Sequence, residues 1–493
     1  MAIFGGNTGS TSYLDQARWM VNVYGPLIFD YVVQMSEFLN AESMGNHLVN
    51  VYGNGLAFHK WIAEPESMPE HEYLTSSPVS MPLIGLVQLM QLMVLYKTFN
   101  VSPGDLACRF NVATGHSQGI ISAVLLSTLT DDEESFVSGS KKALGLWMLI
   151  GALPQLAFPY YCLIDRRGNG FSKNTDAEPT PMVSVQGLTK LQLTKIIDDF
   201  NAGGSSHIQL AVTNTVNRFI VAAKTEHAFM FARYAKSLSA APGEDQTKLP
   251  LALRKPVISV DFLGMTVPYH CDLLTESVKG IYAIAQEKGW TFDAADMRIA
   301  VRSSYDGHDI RSEPDLTKYL IESVCVLPVD WPCAVTAPEI THAVYFGTDG
   351  LHGFARLTFN NVEGRGVPVI CAGVVSSKSP RLPHIGTNAD LYRSRLSDVT
   401  TAPNWLAEFG PKLVRVASSD TVHIDTRMHR VFGMPTVMVA GMTPTTASED
   451  FVAAVSQAGY HVELAGGGMY TADSLDSKVR SLASMLKPGQ GIT

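Results

Sequence analysis

Hydrophobic residues along this chain form some stretches of helical spacing and some shorter continuous runs. Residues 14–40 carry apolar side chains at helical spacing and predict an amphipathic helix, while residues 78–98 are apolar almost throughout and predict a helix buried in the core. Two further apolar helices are predicted at residues 118–129 and 135–151. Short apolar runs bounded by glycine or polar residues predict strands at residues 3–6, 301–304, 343–346 and 367–374. This alternation indicates an α/β domain.

Residues 182–262 follow a different order. They predict a strand, a helix, two strands joined by a polar turn, a second helix and a last strand. Because this is the order of a split βαβ unit, we predict a small ferredoxin-like subdomain inserted in the larger α/β domain. The larger domain is predicted to cover residues 1–380 and to resume near Gly264 after the insertion.

The C-terminal part of the chain differs in composition and pattern from the segments before it. Residues 381–430 are rich in Ser, Pro, Arg and Asp, and we predict a connector that packs on a neighbouring surface. Residues 431–493 hold one strand–helix–strand unit, the opening of a parallel, TIM-barrel-like domain. So short a segment cannot complete such a domain, and both chain ends are abrupt. We therefore expect the chain to be a piece of a larger protein with a truncated barrel.

Composition narrows the class of protein. The chain has 493 residues, of which 46% are hydrophobic and 17% charged, so a large core is possible. The net charge of −9 argues against nucleic-acid binding. The six cysteines include no C-x-x-C pair and no H-E-x-x-H motif occurs, so no metal site and no disulfide framework is predicted. No signal peptide is evident, and the apolar stretch 81–96 includes two glutamines. We therefore predict a cytoplasmic protein that has no membrane partner.

The segment Gly115-His116-Ser117-Gln118-Gly119 lies between a predicted strand and a predicted helix. A serine between two glycines at such a turn is typical of a nucleophile elbow, where a side chain at either glycine would clash with the crowded backbone. The following helix directs its free N–H groups at the serine, which favours an oxyanion beside it. The five-residue pattern alone is weak evidence for catalysis.

A serine hydroxyl needs a base to take its proton. His116 is adjacent in sequence, but its side chain should point away from Ser117, so a packing or hydrogen-bonding role is favoured. His270 follows the inserted subdomain, at the rim where two parts of the fold would meet, and is the better candidate.

Three other residues are candidates near the serine. The N–H of Gln118 is one expected oxyanion donor, and the Gly5-Gly6-Asn7 turn could supply a second, although a simple tight turn explains that segment as well. Asn214 lies between two strands of the insertion and could bind substrate or fix a loop. The loop-fixing role is favoured because asparagine is common in turns.

Four segments together resemble one known family, the β subunit of the fungal type I fatty acid synthase. They occur in the order found there and cover essentially the whole chain: residues 113–119, residues 262–270 (FLGMTVPYH), residues 439–446 (VAGMTPTT) and residues 458–468 (AGYHVELAGGG). The resemblance implies an acyltransferase domain followed by the first strands of an enoyl reductase barrel.

In this family, acetyl passes from acetyl-CoA through an acyl-serine to the phosphopantetheine thiol of an acyl carrier protein, priming fatty acid synthesis. The resemblance implies that Ser117 is the nucleophile and His270 the general base. It also implies that Gln118 and Asn7 supply oxyanion N–H groups and that Asn214 lies near the acyl group. No cofactor is expected for this reaction.

The resemblance has further implications for partners and cofactors. It implies the synthase α subunit and other β subunits as partners. The reductase of this family uses FMN and NADPH, with Gly441, Met442 and Thr443 at the flavin edge of the first strand. Since most of that barrel is missing, we expect neither stable FMN binding nor reductase activity here.

Relatives that load malonyl groups place an arginine on the corresponding helix to pair with the free carboxylate. Residues 146–151 hold no arginine, and Ile150 is our candidate for its position. An unpaired carboxylate is costly to bury, so we predict acetyl or a short neutral acyl group. Three alternatives stay open: starter loading for a dedicated short-chain synthase of a secondary metabolite, a serine hydrolase or thioesterase, and a non-catalytic assembly fragment.

Overall fold

The computed structural model of this chain comprises two compact units, Met1–Ala402 and Pro403–Thr493. The structure describes residues 1–45, 48, 50–159, 179–204, 207–241, 243–250, 253–349, 353–373, 405–416, 418–419, 421–433 and 435–491. Residues 381–404, the first part of the predicted connector, lie outside the described residues.

The first unit contains ten described strands. They are Ala2–Phe4 (β1), Val112–Gly115 (β2), Met182–Gln186 (β3), Gln209–Thr215 (β4), Arg218–Ala222 (β5), Ser259–Phe262 (β6), Ala300–Arg302 (β7), Val329–Asp330 (β8), Ala343–Phe346 (β9) and Val369–Cys371 (β10). All strands that the hydrophobic pattern predicts in this unit are present, with ends shifted by a few residues.

The described α-helices of this unit include every helix that the pattern predicts. They are Ser12–Ser43 (α1), Phe58–Ala63 (α2), His71–Thr75 (α3), Ser77–Phe99 (α4), Pro103–Ala107 (α5), Gly119–Thr128 (α6), Glu133–Ala157 (α7), Lys190–Asn201 (α8), Thr225–Ser237 (α9), Thr275–Lys288 (α10), Leu316–Cys325 (α11), Trp331–Val335 (α12) and Phe354–Val362 (α13).

Five parallel strands form the main sheet in the order β10-β9-β1-β2-β7. β1 lies beside β2 with Phe4 opposite Gly115, so the turn after β1 and the elbow after β2 leave the same edge of the sheet side by side. Ligands of open α/β sheets bind at this carboxyl edge. The predicted α/β core is therefore confirmed, and its strand order brings the two candidate oxyanion segments together.

Helix α4 is buried in this core, as predicted. It is long and apolar enough to cross a membrane by length and composition alone, yet its entire apolar window is buried inside the protein. Residues Ser77–Tyr96 have no more than a few per cent of their surface exposed, and they pack against α1 and α7. An all-round apolar helix surrounded in this way is a core helix.

The inserted subdomain forms a second sheet in the order β6-β3-β5-β4-β8. Its own four strands are antiparallel, and α8 and α9 cover one face with a separate small core. This is the ferredoxin-like arrangement that the sequence predicts. The fifth strand, β8, comes from the main domain and pairs in parallel with β4. The sequence analysis missed it because a two-residue strand carries no periodic pattern.

The second unit holds a parallel strand–helix–strand motif. Met438–Val439 (β13) pairs with His461–Val462 (β14), with Glu449–Gln457 (α16) between them and Ala472–Met485 (α17) after them. The first strand is shorter than the predicted run 436–441. That this motif is the opening of a truncated TIM-barrel-like domain stays a prediction.

Part of the predicted connector has regular structure that the sequence analysis missed. Trp405–Phe409 (α14) is followed by an antiparallel hairpin of Lys412–Val416 (β11) and Thr421–Asp425 (β12), and then by Arg427–Phe432 (α15). The hairpin strands are almost wholly exposed. Their short alternation was hidden within a segment otherwise rich in loop-forming residues.

Candidate active site

The turn between β2 and α6 is a tight elbow that requires its two glycines. A Cβ at Gly115 would lie 1.9 Å from the carbonyl carbon of Gly119, and a Cβ at Gly119 would lie 2.4 Å from the carbonyl oxygen of Phe4. Ser117 between them has a φ of 53°, a left-handed conformation that is uncommon for serine. The structure thus agrees with the steric reason given for this sequence pattern, and the strained residue is a candidate functional group.

Ser117 lies within hydrogen-bond distance of His270, 153 positions further along the chain. Ser117 Oγ is 2.8 Å from His270 Nε2, and His270 Nδ1 is 2.8 Å from the carbonyl oxygen of Leu327. Because a carbonyl only accepts, Nδ1 carries the ring hydrogen, and Nε2 is left to accept the proton of the serine hydroxyl. This is the geometry of a nucleophile, a base and a group that orients the base.

His270 is buried and neutral at physiological pH. Burial lowers its pKa from 6.5 to about 4, while hydrogen bonds to the backbone carbonyls of Leu327 and Ser323 oppose part of that decrease. Ser323 lies in the last turn of α11 and Leu327 two residues after its end, where the helix dipole favours positive charge. The same carbonyls therefore stabilise the imidazolium that forms when His270 takes a proton. His270 also has a positive φ, 59°.

Two main-chain N–H groups near the elbow are available as donors. Gln118 stands at the start of α6, and Asn7 lies in the turn after β1, the strand beside β2. The Asn7 side chain is engaged elsewhere: its Nδ2 donates to Ser80 Oγ at 2.8 Å and its Oδ1 accepts from the Gly9 N–H. Within the described residues, neither the Gln118 nor the Asn7 main-chain N–H donates to a protein acceptor.

His116 turns away from Ser117, as expected, and bonds to Asn214. Its Nε2 is 2.9 Å from Asn214 Oδ1, and its ring packs 4.2 Å from the ring of Phe354 and 5.1 Å from that of Trp331. Burial lowers the pKa of His116 to about 3. The Asn214 carbonyl accepts from Asn361. The Asn214 side-chain oxygen thus bonds to protein, and its predicted place near the acyl group stays a prediction.

The segment of α7 that includes Ile150 contacts both parts of the site. Ile150 is fully buried, and its carbonyl oxygen accepts from the hydroxyl of Tyr269, the residue before His270. One turn earlier on α7, the Trp147 indole N–H donates to the carbonyl of Gln118, the residue after Ser117. This part of α7 is therefore packed against the elbow and the histidine segment, and its buried side chains are apolar.

Gly441, Met442 and Thr443, the predicted flavin-edge residues, follow β13 in the second unit. The Gly441 N–H donates to Glu463 Oε2 at 2.7 Å, and the Met442 side chain is 55% exposed. A carboxylate on this N–H and an open surface do not form an enclosed flavin site. Binding of FMN in a completed barrel stays a prediction, and in the described part of the chain no cluster of three metal-binding side chains occurs.

The sequence did not predict the groups that orient His270 and the turn after β1. The Leu327 carbonyl holds His270, and buried Gln88 on α4 binds the Gly5 carbonyl at 2.7 Å. A backbone carbonyl carries no side-chain pattern, and a glutamine within an apolar helix has no fixed spacing to the elbow. The signal that could have indicated a buried polar contact is the presence of two glutamines in an otherwise apolar stretch.

Comparisons with known proteins identify relatives of this chain. A family model described as "Starter unit:ACP transacylase in aflatoxin biosynthesis" matches residues 2–255. The fatty acid synthase subunit beta of Saccharomyces cerevisiae is 31% identical over an alignment of 494 positions that covers 99% of this chain and 24% of that protein. The fatty acid synthase beta subunit pigK of Monascus ruber is 31% identical over an alignment of 501 positions that covers 100% of this chain and 24% of that protein.

The chain therefore spans about a quarter of the length of the curated relatives it matches. The resemblance to fungal fatty acid synthase β subunits, inferred from the motifs, is confirmed. Among solved structures, MCAT from Mycobacterium tuberculosis aligns with a TM-score of 0.49 and 16% identity, covering 79% of this chain and 98% of that one.

Proposed function

We propose, from the premise that this chain belongs to the starter unit:ACP transacylase family, that it transfers acetyl or another short neutral acyl group between thiols. The donor is the acyl-CoA thioester, which releases CoA, the intermediate is an ester on Ser117, and the acceptor is the phosphopantetheine thiol of an acyl carrier protein. The observation that carries this proposal is the 2.8 Å contact between Ser117 Oγ and His270 Nε2, with Nδ1 of the same ring held by the Leu327 carbonyl.

In the first half of the reaction, His270 Nε2 takes the proton of Ser117 as Oγ attacks the thioester carbon. The new C–O bond forms, negative charge collects on the former carbonyl oxygen, and the Gln118 and Asn7 N–H groups stabilise it. The C–S bond then breaks, and the imidazolium returns its proton to the leaving CoA sulfur. The second half runs in reverse, with the carrier-protein thiol as nucleophile and Ser117 as leaving group.

The apolar face of α7 supports a neutral acyl group. Ile150 is fully buried and no positively charged residue occurs in residues 143–157 of this helix. A malonyl carboxylate beside Ile150 would lose its hydration without gaining a cationic partner, and burying an unpaired charge is costly. We propose that this cost of burying the malonyl carboxylate makes the site select acetyl over malonyl.

The proposal is tested with purified chain, radiolabelled acetyl-CoA and a pantetheinylated acyl carrier protein. We expect label to move from CoA to the carrier protein, and malonyl-CoA to be at least ~10-fold poorer as donor because of the unpaired carboxylate. Free acetate is measured in parallel. Release of acetate at a rate that added carrier protein does not change would identify a hydrolase instead, and a folded chain that takes up no label would identify a non-catalytic assembly fragment.

The rate of acylation should resist acidification. Since burial lowers the pKa of His270 to about 4, the imidazole stays neutral and able to accept a proton well below the usual value of 6.5. We expect kcat/KM for acetyl-CoA to be flat from neutral pH to about pH 5 and to fall about tenfold per pH unit below pH 4. A decline centred near 6.5 would contradict this environment for His270.

Folding must be monitored in that experiment. His270 and His116 are held neutral in the fold with lowered pKa values, whereas both bind protons below about 6.5 in the unfolded chain. The unfolded state then binds more protons, so stability decreases as pH falls below 6.5. Circular dichroism at each pH separates loss of activity from loss of structure.

The pathway and the partners that we propose for this chain follow from its family. As part of a type I synthase, the chain would work in the cytoplasm with an acyl carrier protein, the α subunit and other β subunits, and would prime fatty acid synthesis. The description of the matched family model favours a second candidate setting, loading of a starter unit for a secondary metabolite. Preference among acetyl-CoA, butyryl-CoA and hexanoyl-CoA distinguishes the two: a preference for acetyl-CoA supports priming of fatty acid synthesis, and a preference for a longer acyl-CoA supports the second setting.

A further inference from the structure

The buried helix α4 contacts both ends of the turn that follows β1. We call this turn, residues 5–7, the oxyanion loop. The Gln88 amide Nε2 donates to the Gly5 carbonyl at 2.7 Å, and Ser80 Oγ accepts from Asn7 Nδ2 at 2.8 Å. Gln88 and Ser80 are fully buried. Both contacts come from one rigid helix, so the loop is held at its first and last residue by the same element.

Gln88 also bonds to the helix that follows the elbow. The Ser122 hydroxyl on α6 lies 2.5 Å from Gln88 Oε1, and Ser122 is fully buried. Since the hydroxyl already has Oε1 as acceptor, the amide orientation is fixed and Nε2 must face Gly5. Gln88 therefore links α6, which begins beside Gln118, to the loop that ends at Asn7.

The contact at Gly5 determines where the loop directs its N–H groups. A peptide unit is planar and trans, so a carbonyl of Gly5 held toward α4 points the N–H of Gly6 away from α4. Gly6 packs closely against the residue before Ser117, since a Cβ there would lie 2.9 Å from the carbonyl oxygen of His116. The next peptide, which carries the Asn7 N–H, therefore starts beside His116 and ends at Asn7, whose side chain is bonded to Ser80.

We infer that Gln88 is a positioning residue for the acylation step, holding the Asn7 N–H in place for the oxyanion. This inference rests on the proposed function and adds to it a residue that does not touch substrate. Loss of its amide leaves substrate binding intact and misaligns one of two donors. The effect should therefore appear in the maximum rate of acylation rather than in the half-saturating concentration of acetyl-CoA.

The chain offers a matched control one turn along the same helix. Gln91 is also buried, and its Nε2 donates to a loop carbonyl, that of Gly347, at 2.9 Å. Gln88→Met and Gln91→Met each remove one buried amide and one hydrogen bond to a carbonyl from α4. Gln88→Met also removes the acceptor of the Ser122 hydroxyl, so it should lose more stability than Gln91→Met, and only the first variant alters the oxyanion loop.

The test is single-turnover labelling of the full chain with radiolabelled acetyl-CoA over a range of concentrations. We expect Gln88→Met to lower the maximum labelling rate at least ~10-fold, below the 10²–10³-fold of losing a donor outright, with half-saturation within about threefold of wild type. Gln91→Met should label at close to the wild-type rate. Ser122→Ala, a small change that the fold tolerates, should slow labelling in the same direction, because it frees the Gln88 amide to rotate.

Each outcome bears on one proposal. Labelling of Gln88→Met and Ser122→Ala at the wild-type rate overturns the inference, as does an equal slowing in Gln91→Met, which would indicate a general effect of burial. If Gln88→Met does not fold, Ser122→Ala against Gln91→Met decides by the same criterion. Absence of label on the folded wild-type chain contradicts the proposed function itself, which keeps the two failures distinct.

Discussion

Ser117→Ala should leave the chain folded and unable to accept acetyl from acetyl-CoA. The hydroxyl oxygen is the atom that forms the ester, so no covalent label should remain after denaturation, and carrier-protein acetylation should fall at least ~10³-fold. The substitution removes a hydrogen bond to His270 but no packing, and the elbow glycines keep the turn. Denaturing gel autoradiography and thermal melting of the same preparation measure both effects.

A neighbouring serine provides the control for Ser117. Ser127 on α6 is fully buried and its hydroxyl donates to the carbonyl of Ile299 at 2.6 Å, away from His270. The hydroxyl also accepts from the Ile299 N–H at 3.2 Å, so Ser127→Ala should lower the free energy of unfolding by about 2 kcal/mol, as expected for two buried hydrogen bonds, and should still be labelled. If Ser117→Ala is labelled as strongly as wild type, the acyl-serine mechanism is wrong, even though the chain belongs to this family.

His270→Ala should slow acylation about 10³-fold while binding of acetyl-CoA changes little. General-base catalysis contributes on the order of 10²–10⁴-fold, and the hydroxyl of Ser117 loses its acceptor when the imidazole is removed. Residual activity should then rise with hydroxide concentration, because solvent must take the proton. Burst kinetics across pH 6 to 9 detects this as a rate that is flat for wild type and increasing for the variant.

His116 distinguishes base catalysis from a general need for a buried imidazole at the elbow. It bonds to Asn214 and packs between two aromatic rings, but does not face the serine hydroxyl. His116→Asn should therefore lose stability and retain much more activity than His270→Ala. A larger catalytic loss in His116→Asn, with folding intact, would contradict the assignment of His270 as the base.

Much of the candidate site could be predicted because its requirements are local. Glycine is needed at positions 115 and 119 because the turn is crowded. In the structure, a Cβ at these positions would lie 1.9 Å and 2.4 Å from the nearest backbone atoms. Helix α4 was predicted by continuous apolar character, and the insertion by the order of its strands. The hairpin β11–β12 was missed, because exposed strands alternate too briefly to stand out from the polar segment around them.

What the sequence determined by itself is the elbow, the order of strands and helices, and the family to which the chain belongs. Each of these depends on neighbouring residues or on matching motifs. Only the tertiary structure decided how His270 is oriented and how the oxyanion loop is held. The Leu327 carbonyl and the Gln88 amide act there through bonds to backbone atoms far away in sequence. Such contacts follow from the packing of whole helices and strands, and a backbone carbonyl is the same chemical group in every residue.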